Sequence, residues 1–194
     1  MRFEASFLTG RALYEQVIRD GILKARRSVW IATANVKELF VEPAHSLRND
    51  NGRYRSILGA FDDLAAAGVE LRLLYAEVPS RRFRAAFDRR PHLIKGGLQL
   101  KHCPRVHLKA VVIDGSWLYL GSANLTGAGL GAKGENKRNF EFGFVTEDFQ
   151  LLDQVQSLYQ ELWDGAPCSA CAIRDICPDP GPQTGVRRSE RASK

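Results

Sequence analysis

No run of about 18 consecutive apolar residues occurs anywhere in the 194-residue sequence, so no membrane-spanning helix can be drawn. The opening residues Met1-Arg2-Phe3-Glu4 reach polar Arg11 and Glu15 after a short apolar patch, without the apolar core of a secretory signal. A reducing cytoplasm is therefore the expected setting, and the four cysteines there point to metal or redox chemistry before disulfides. Internal repeats are absent as well. The loop Gly127 to Gly134 has four glycines but neither G-x-G-x-x-G nor G-x4-G-K-[ST], so mobility is a safer expectation for it than nucleotide binding. Histidine is scarce at four residues, His45, His92, His102 and His107, and only His107 begins an H-x-K.

What is present suits one globular domain: 44% apolar and 26% charged residues exclude fibrous and wholly disordered classes. The net charge of +6 is modest, but its distribution is uneven. Arg81, Arg82, Arg84, Arg89, Arg90, Lys95 and Lys101 face a single Asp88 between Pro79 and Lys101, a surplus equal to the whole net charge. Such a stripe is either the footprint of a phosphate-backbone reader or a solvated helix face. Beyond Pro178 the composition is that of a disordered basic tail, 179–194.

Leu13, Val17, Ile18 and Ile22 recur at helical spacing and lead into the strand-like run Val29 to Ala32. Ile57, Leu58, Phe61 and Leu64 give a second helix, stopped at Ala67-Gly68 before a strand from Val69 to Tyr75. Strands follow near Leu98 to Cys103, Val106 to Ile113, Trp117 to Leu120 and Arg138 to Val145, then a helix from Phe149 to Trp163. Alternating helix and strand predict a layered α/β fold. Trp30, Trp117 and Trp163 read as core or dimer packing, and Thr33 and Asn35 as the end of a strand before a pocket lining.

Side chains alternate along a strand, so His107 and Lys109 share one surface while Leu108 and Ala110 enter the opposite layer. The same rule puts Phe140, Phe142 and Phe144 on a packing face and leaves Asn139 and Glu141 facing a site. These residues form H-x-K-x4-D (His107, Lys109, Asp114), then G-S-x-N (Gly121, Ser122, Asn124), then N-x-E (Asn139, Glu141). In this the sequence resembles the phospholipase D superfamily. The resemblance implies a helix–sheet–helix fold around a central mixed β-sheet, with residues 1–165 as the catalytic domain. A single H-x-K motif resembles the short bacterial nucleases of that superfamily, which build one active site across a homodimer.

By that resemblance one His107 attacks phosphorus to form a phosphohistidine, while the second copy's His107 protonates the leaving oxygen and then activates water. Lys109 and Asn124 would hold the phosphate oxygens, Ser122 would assist, and Glu141 would orient a His107 ring. Asp114, beside Gly115, is a candidate for the site and a stronger one for the turn. No cluster of carboxylates accompanies the motifs, so phosphoryl chemistry without Mg2+ is expected.

Cys168-x2-Cys171-x5-Cys177-Pro178 follows the last helix, and Cys103 lies four residues before His107. The spacing suits a zinc site poorly. It is similar to the iron–sulfur staple at the C-terminal end of CRISPR-adaptation exonucleases and recombination-repair helicase-nucleases. That likeness implies a 4Fe-4S cluster on Cys103, Cys168, Cys171 and Cys177, with residues 166–178 as a metal-binding segment and structural zinc as the alternative. Three functions follow as expectations. The first is an endonuclease on nucleic acid, DNA ahead of RNA, with Arg81, Arg82, Arg84, Arg89, Arg90 and Lys95 contacting its backbone. The second is a phospholipase or phosphatidyl transferase, the third a catalytically silent nucleic-acid-binding module that needs a protein partner.

Overall fold

Strand formation follows the apolar runs, because Val, Ile and Leu on both faces of a segment need a layer above and below it. The computed structural model describes residues 2–42 and 54–182, and its central element is a mixed sheet of seven strands. These are β1 (Ser6–Thr9), β2 (Ser28–Thr33), β5 (Glu70–Tyr75), β6 (Leu98–His102), β7 (Ala110–Ile113), β8 (Trp117–Gly121) and β9 (Phe142–Thr146). A separate two-stranded ribbon joins β3 (Phe40–Val41) to β4 (Arg55–Ser56). The order across the sheet is β1-β9-β8-β7-β2-β5-β6. β2, β5 and β6 run parallel, whereas β7 enters antiparallel to β2 and begins the antiparallel half.

Helices cover both faces. On one, α1 (Arg11–Leu13) and the wider helical turn Tyr14–Arg19 bury Leu13, Val17 and Ile18 with Ile57, Leu58 and Phe61 of α2 (Ile57–Ala66) and Phe83 of α3 (Arg81–Phe87). Ser56 and Ser80 cap α2 and α3, their hydroxyls accepting from the amides of Leu58 and Phe83. On the other face lies α4 (Phe149–Asp164), capped by Asp148 and closed by Gly165 at φ 77°. Its Tyr159 stacks between Trp30 at 5.3 Å and Trp163 at 5.8 Å. The Arg72 guanidinium lies 4.6 Å from the Trp30 ring and 5.3 Å from that of Trp163. Trp30 and Trp163 are thus packing residues, and each cationic contact contributes on the order of 1 kcal/mol. Among the described residues no helix is long and apolar enough to cross a membrane.

α4 covers the inner strands and stops short of the sheet's antiparallel edge. Phe142 and Phe144 are therefore not packed as the alternation suggested. They stay 50% and 41% exposed beside Phe7 of β1 at 61%, with Phe7 5.3 Å from Phe144 and 6.0 Å from Phe142. Phe140 precedes β9 and is fully exposed. The tail boundary also moves: Asp179 accepts from the His102 amide at 3.1 Å and pairs with Lys101 at 3.6 Å, which holds the chain beyond Cys177 against β6. Residues 183–194 of the expected tail lie outside the described residues.

Asp114 closes the turn from β7 into β8 at φ 55°, a left-handed conformation that Asp and Asn tolerate better than most side chains. Its carboxylate accepts from the backbone amides of Arg26, Arg27 and Ser28 at 2.7 to 3.1 Å, which fixes the entrance to β2. Burial pushes this carboxyl up, yet the amides of Ser28, Arg27 and Arg26 and the Arg27 charge outweigh it, so its pKa is lowered. The resulting stabilisation is full above the unfolded carboxyl pKa of about 3.9 and is lost as pH falls through the lower folded value. Asp114→Ala should cost about 2 kcal/mol in urea unfolding at pH 7 and flatten the acid limb, with Asp114→Asn between it and wild type. Unchanged stability of the Ala variant would show the carboxylate is dispensable to the fold.

Candidate active site

The three motifs meet at one end of the sheet. β2 and β5 end there with Thr33 and Tyr75, β7 starts there, β8 ends there with Gly121, and β9 starts there. β7 spans only Ala110–Ile113, so His107 and Lys109 lie in the segment that approaches it and not within the longer strand expected. The alternation holds nonetheless: Leu108 and Ala110 pack with the α4 layer, and Val111 packs with the opposite one. The four-residue spacer of H-x-K-x4-D is β7 itself. At about 3.3 Å per residue it carries Asp114 roughly 16 Å away from Lys109, to the opposite end of the sheet. The structure therefore separates Asp114 from the other motif residues.

Gly121 pairs across the sheet with Gly143, and its amide donates to the Lys109 carbonyl at 3.1 Å. A Cβ there would meet the Phe142 carbonyl oxygen at 2.6 Å, so the close approach of β8 and β9 requires glycine. Next in the chain, the Ser122 hydroxyl donates to Glu141, whose other oxygen accepts from Asn139 Nδ2 at 3.2 Å. Glu141 is thus engaged by Ser122 and Asn139 within its own chain rather than by the His107 ring, and it sits close enough to Lys109 to favour its charge. Burial acts more strongly on that ammonium and lowers its pKa. Lys109 Nζ donates to the His107 carbonyl at 2.9 Å, a contact a bound anion would compete for. The His107 side chain is exposed.

Asn124 is held by its carbonyl. Its Oδ1 accepts from the Thr33 hydroxyl at 3.2 Å and the amides of Ala34 and Asn35 at 3.1 and 3.2 Å. Thr33 is 1% exposed, and its Oγ1 also accepts from the Leu125 amide at 3.0 Å. With Oδ1 saturated, the amide Nδ2 is the end of Asn124 left to donate. Thr33, read from sequence mainly as a strand end, is what orients it.

Asn124 and Asn139 line an open groove of about 920 Å³ together with Arg81, Arg82, Lys37 and Lys133. Of the six cations expected to contact substrate, only Arg81 and Arg82 reach this groove. Arg84 and Arg89 are exposed elsewhere on or just after α3, and Lys95 lies exposed in the turn before β6. The Arg90 guanidinium packs against α2, 3.2 Å from where a Cβ on Gly59 would stand. Lys37 and Lys133 were not singled out in the sequence, since Lys37 stands beside Glu38 and Lys133 lies in the glycine-rich loop, both outside the basic segment. The loop Gly127 to Gly134 earns its glycines by forming one wall of the groove.

The four cysteines are unpaired and line a single small cavity of about 20 Å³. Arg105 donates to Cys171 Sγ at 3.5 Å, and that hydrogen bond, with one from the Ile173 amide, lowers the thiol's pKa. No three His, Cys, Asp or Glu side chains among the described residues close around a single ion. His102, beside Cys103, bonds the Ala76 carbonyl at 2.8 Å and stacks on Tyr75, so it is a packing residue.

Comparison with known proteins places the chain. The family model described as "Cardiolipin synthase, PLD-like domain" matches residues 18–163. Cardiolipin synthase 2 of Bacillus anthracis is 27% identical over 148 residues, 74% of this chain but 24% of that protein, so the chain spans about a quarter of the relative's length. Among solved structures, NucT from Helicobacter pylori superposes with a TM-score of 0.57 at 18% identity, covering 84% of this chain and 96% of that one. Nuc from Salmonella typhimurium, a phospholipase D family member, gives 0.57 at 18%, covering 82% and 95%. With this fold, the three motifs gathered at one end of its sheet and a family match across most of its length, the chain belongs to the phospholipase D superfamily, in its cardiolipin synthase-type PLD-like domain family.

Proposed function

We propose that the protein is a nuclease that cleaves phosphodiester bonds in nucleic acid through a phosphohistidine, without a divalent ion, at a site shared by two copies. The observation that carries this reading is the groove: an open cavity of about 920 Å³ whose lining sets Lys37, Arg81, Arg82 and Lys133 against the single carboxylate of Glu38 and includes the motif residues Asn124 and Asn139. An open groove with that excess of positive charge suits a polyanionic backbone.

In the first step a His107 imidazole nitrogen forms a bond to phosphorus as the P–O bond to the leaving alkoxide breaks. The second copy's His107 gives that alkoxide its proton. The now neutral second imidazole takes a proton from water, whose oxygen displaces the first histidine and regenerates it. Lys109 and Asn124 Nδ2 donate to the oxygens on which negative charge accumulates, the role a metal ion would otherwise fill. Ser122, its proton committed to Glu141, ties the β8 end to the β9 start so that these donors stay in place.

One chain supplies one H-x-K histidine and the reaction uses two, so a second copy completes the site. The uncovered aromatic patch of Phe7, Phe142 and Phe144 begins one residue after Glu141, which supports this edge as the surface the second copy occupies. The cardiolipin synthase relatives favour a second reading, transfer of a phosphatidyl group at the same histidine.

Purified protein in chelator, incubated with labelled single- and double-stranded DNA and RNA and with anionic phospholipid vesicles, separates these readings. Nucleic acid should be cut in chelator, and His107→Ala should lower the rate roughly 10⁴-fold while binding persists. Turnover of lipid alone would establish the second reading. Complete dependence on Mg2+ would remove the mechanism, and identical behaviour of His107→Ala would reduce the protein to a binding module.

Reversing Arg81 and Arg82 to Glu should weaken DNA binding about tenfold or more and reduce the slope of log affinity against log salt. An unaltered slope would move the backbone-binding surface elsewhere. Phe7→Asp with Phe144→Asp should give a monomer by light scattering that has lost cleavage, and a fully active monomer would overturn the shared site.

A further inference from the structure

We propose that Cys103, Cys168, Cys171 and Cys177 hold a thiolate-bound metal centre, an iron–sulfur cluster, that clamps the segment carrying His107. The site goes beyond the cleavage reading, and only its effect on His107 rests on that reading.

Four half-buried thiols drawn from two distant parts of the chain line one small cavity, and all four are free of disulfides. Chance burial does not account for the surroundings. Arg105 aims a guanidinium N–H at Cys171 Sγ, as a positive group stabilising a thiolate does. Arg174 braces the segment by donating to the carbonyls of Cys168 at 3.1 Å and Gly181 at 3.0 Å. Gly165 and Gly181 meet beneath Cys168, where a Cβ on Gly181 would stand 3.0 Å from the sulfur. The chain after Cys177 is then tied to β6 through Asp179. Every one of these contacts narrows the positions the sulfurs can take.

The identity of the centre rests on its ligands. A zinc ion needs its ligand sulfurs within about 2.3 Å of one point. No three candidate ligands among the described residues close around a single ion, although all four cysteines border the same cavity. A 4Fe-4S cluster brings its own iron and sulfide and is held by four thiolates, the set of side chains that borders this cavity.

The centre adjoins the catalytic segment. Cys103, Cys168 and Cys171 share a second cavity, of about 430 Å³, with Arg105, Val106, His107 and Leu108, roofed by Leu158 and Leu162 of α4. The Cys103 amide donates to the Tyr75 carbonyl at 2.8 Å, and Val106 donates back to Cys103 at 2.9 Å. Between Cys103 and β7 the chain is otherwise an irregular connection, and its placement over the sheet end depends on what holds Cys103. An occupied centre fixes that point and with it the approach of His107.

The test uses the full chain purified without oxygen. About four iron and four sulfide per chain, with absorbance near about 400 nm, are expected. Cys103→Ser should lose more than half the iron, as Cys168→Ser, Cys171→Ser and Cys177→Ser should, with circular dichroism confirming that the sheet is retained. Hydrogen exchange across 103–109 should rise several-fold when iron is removed from the wild-type protein, a readout that does not require any cleavage activity. Metal-free protein, or a folded Cys103→Ser protein with full iron, would overturn the four-thiolate centre. Stoichiometric zinc with no sulfide would overturn the cluster assignment, and unchanged exchange at 103–109 would overturn the clamp.

Discussion

Antiparallel insertion of β7 between β2 and β8 is the constraint on which the rest of the molecule depends. β2 and β5 run parallel, so both end on one side of the sheet. If β7 also ran parallel, His107 and Lys109 would enter at the far side from Thr33 and Asn124. The reversed strand brings the start of β7 to the end of β2, in the register Ala32 opposite Ala110 and Val29 opposite Ile113. The hairpin into β8 then returns Gly121 beside Lys109, and β9 begins alongside. Three separated sequence motifs become neighbours through one reversal, and Asp114 holds the far end of that reversal to the entrance of β2.

This explains why the fold and the motif positions were legible and their roles less so. Strands β2, β7 and β8 are nearly continuous apolar runs, as a sheet buried on both faces requires, and β5 keeps Leu71, Leu73 and Leu74 among its two charged residues and Tyr75. The H-x-K-x4-D spacing marks a strand length between two ends of a sheet, which a linear reading cannot distinguish from two residues of one site. Asp114 was grouped with residues from which the structure separates it, and it sits in the turn that its place beside Gly115 favoured. Alternation correctly set Phe142 and Phe144 on one face, but no local pattern tells whether a helix reaches far enough to cover that face. α4 does not reach it.

The basic segment shows the same limit in charge. Seven cations in one stretch suggested a single binding strip, yet a helix, a turn and a strand divide them among different surfaces. Arg90 spends its charge in packing on α2, and only Arg81 and Arg82 join the groove. The groove's other cations, Lys37 and Lys133, come from outside the basic segment altogether. Electrostatic footprints are assembled by the fold, so counting charge along the chain finds a surplus without locating it.

Proximity of the two unusual features gives the molecule its internal logic. In the proposed mechanism His107 both approaches phosphorus and meets its symmetry mate, so it tolerates little positional freedom, because a displacement of about 1 Å can cost on the order of 10²-fold in rate. The segment bearing His107 has no strand pairing until Ala110, and Lys109 makes its contact to the same segment's own carbonyl. Its stiffness must come from outside. Val106 and Leu108 seated in the α4 layer and the Gly121 amide on the Lys109 carbonyl supply part of it, and the cysteine-lined cavity adjoins the same segment. With the proposed centre in place, the C-terminal segment becomes part of how the catalytic end of the sheet is held rigid, not an appendage to a finished domain.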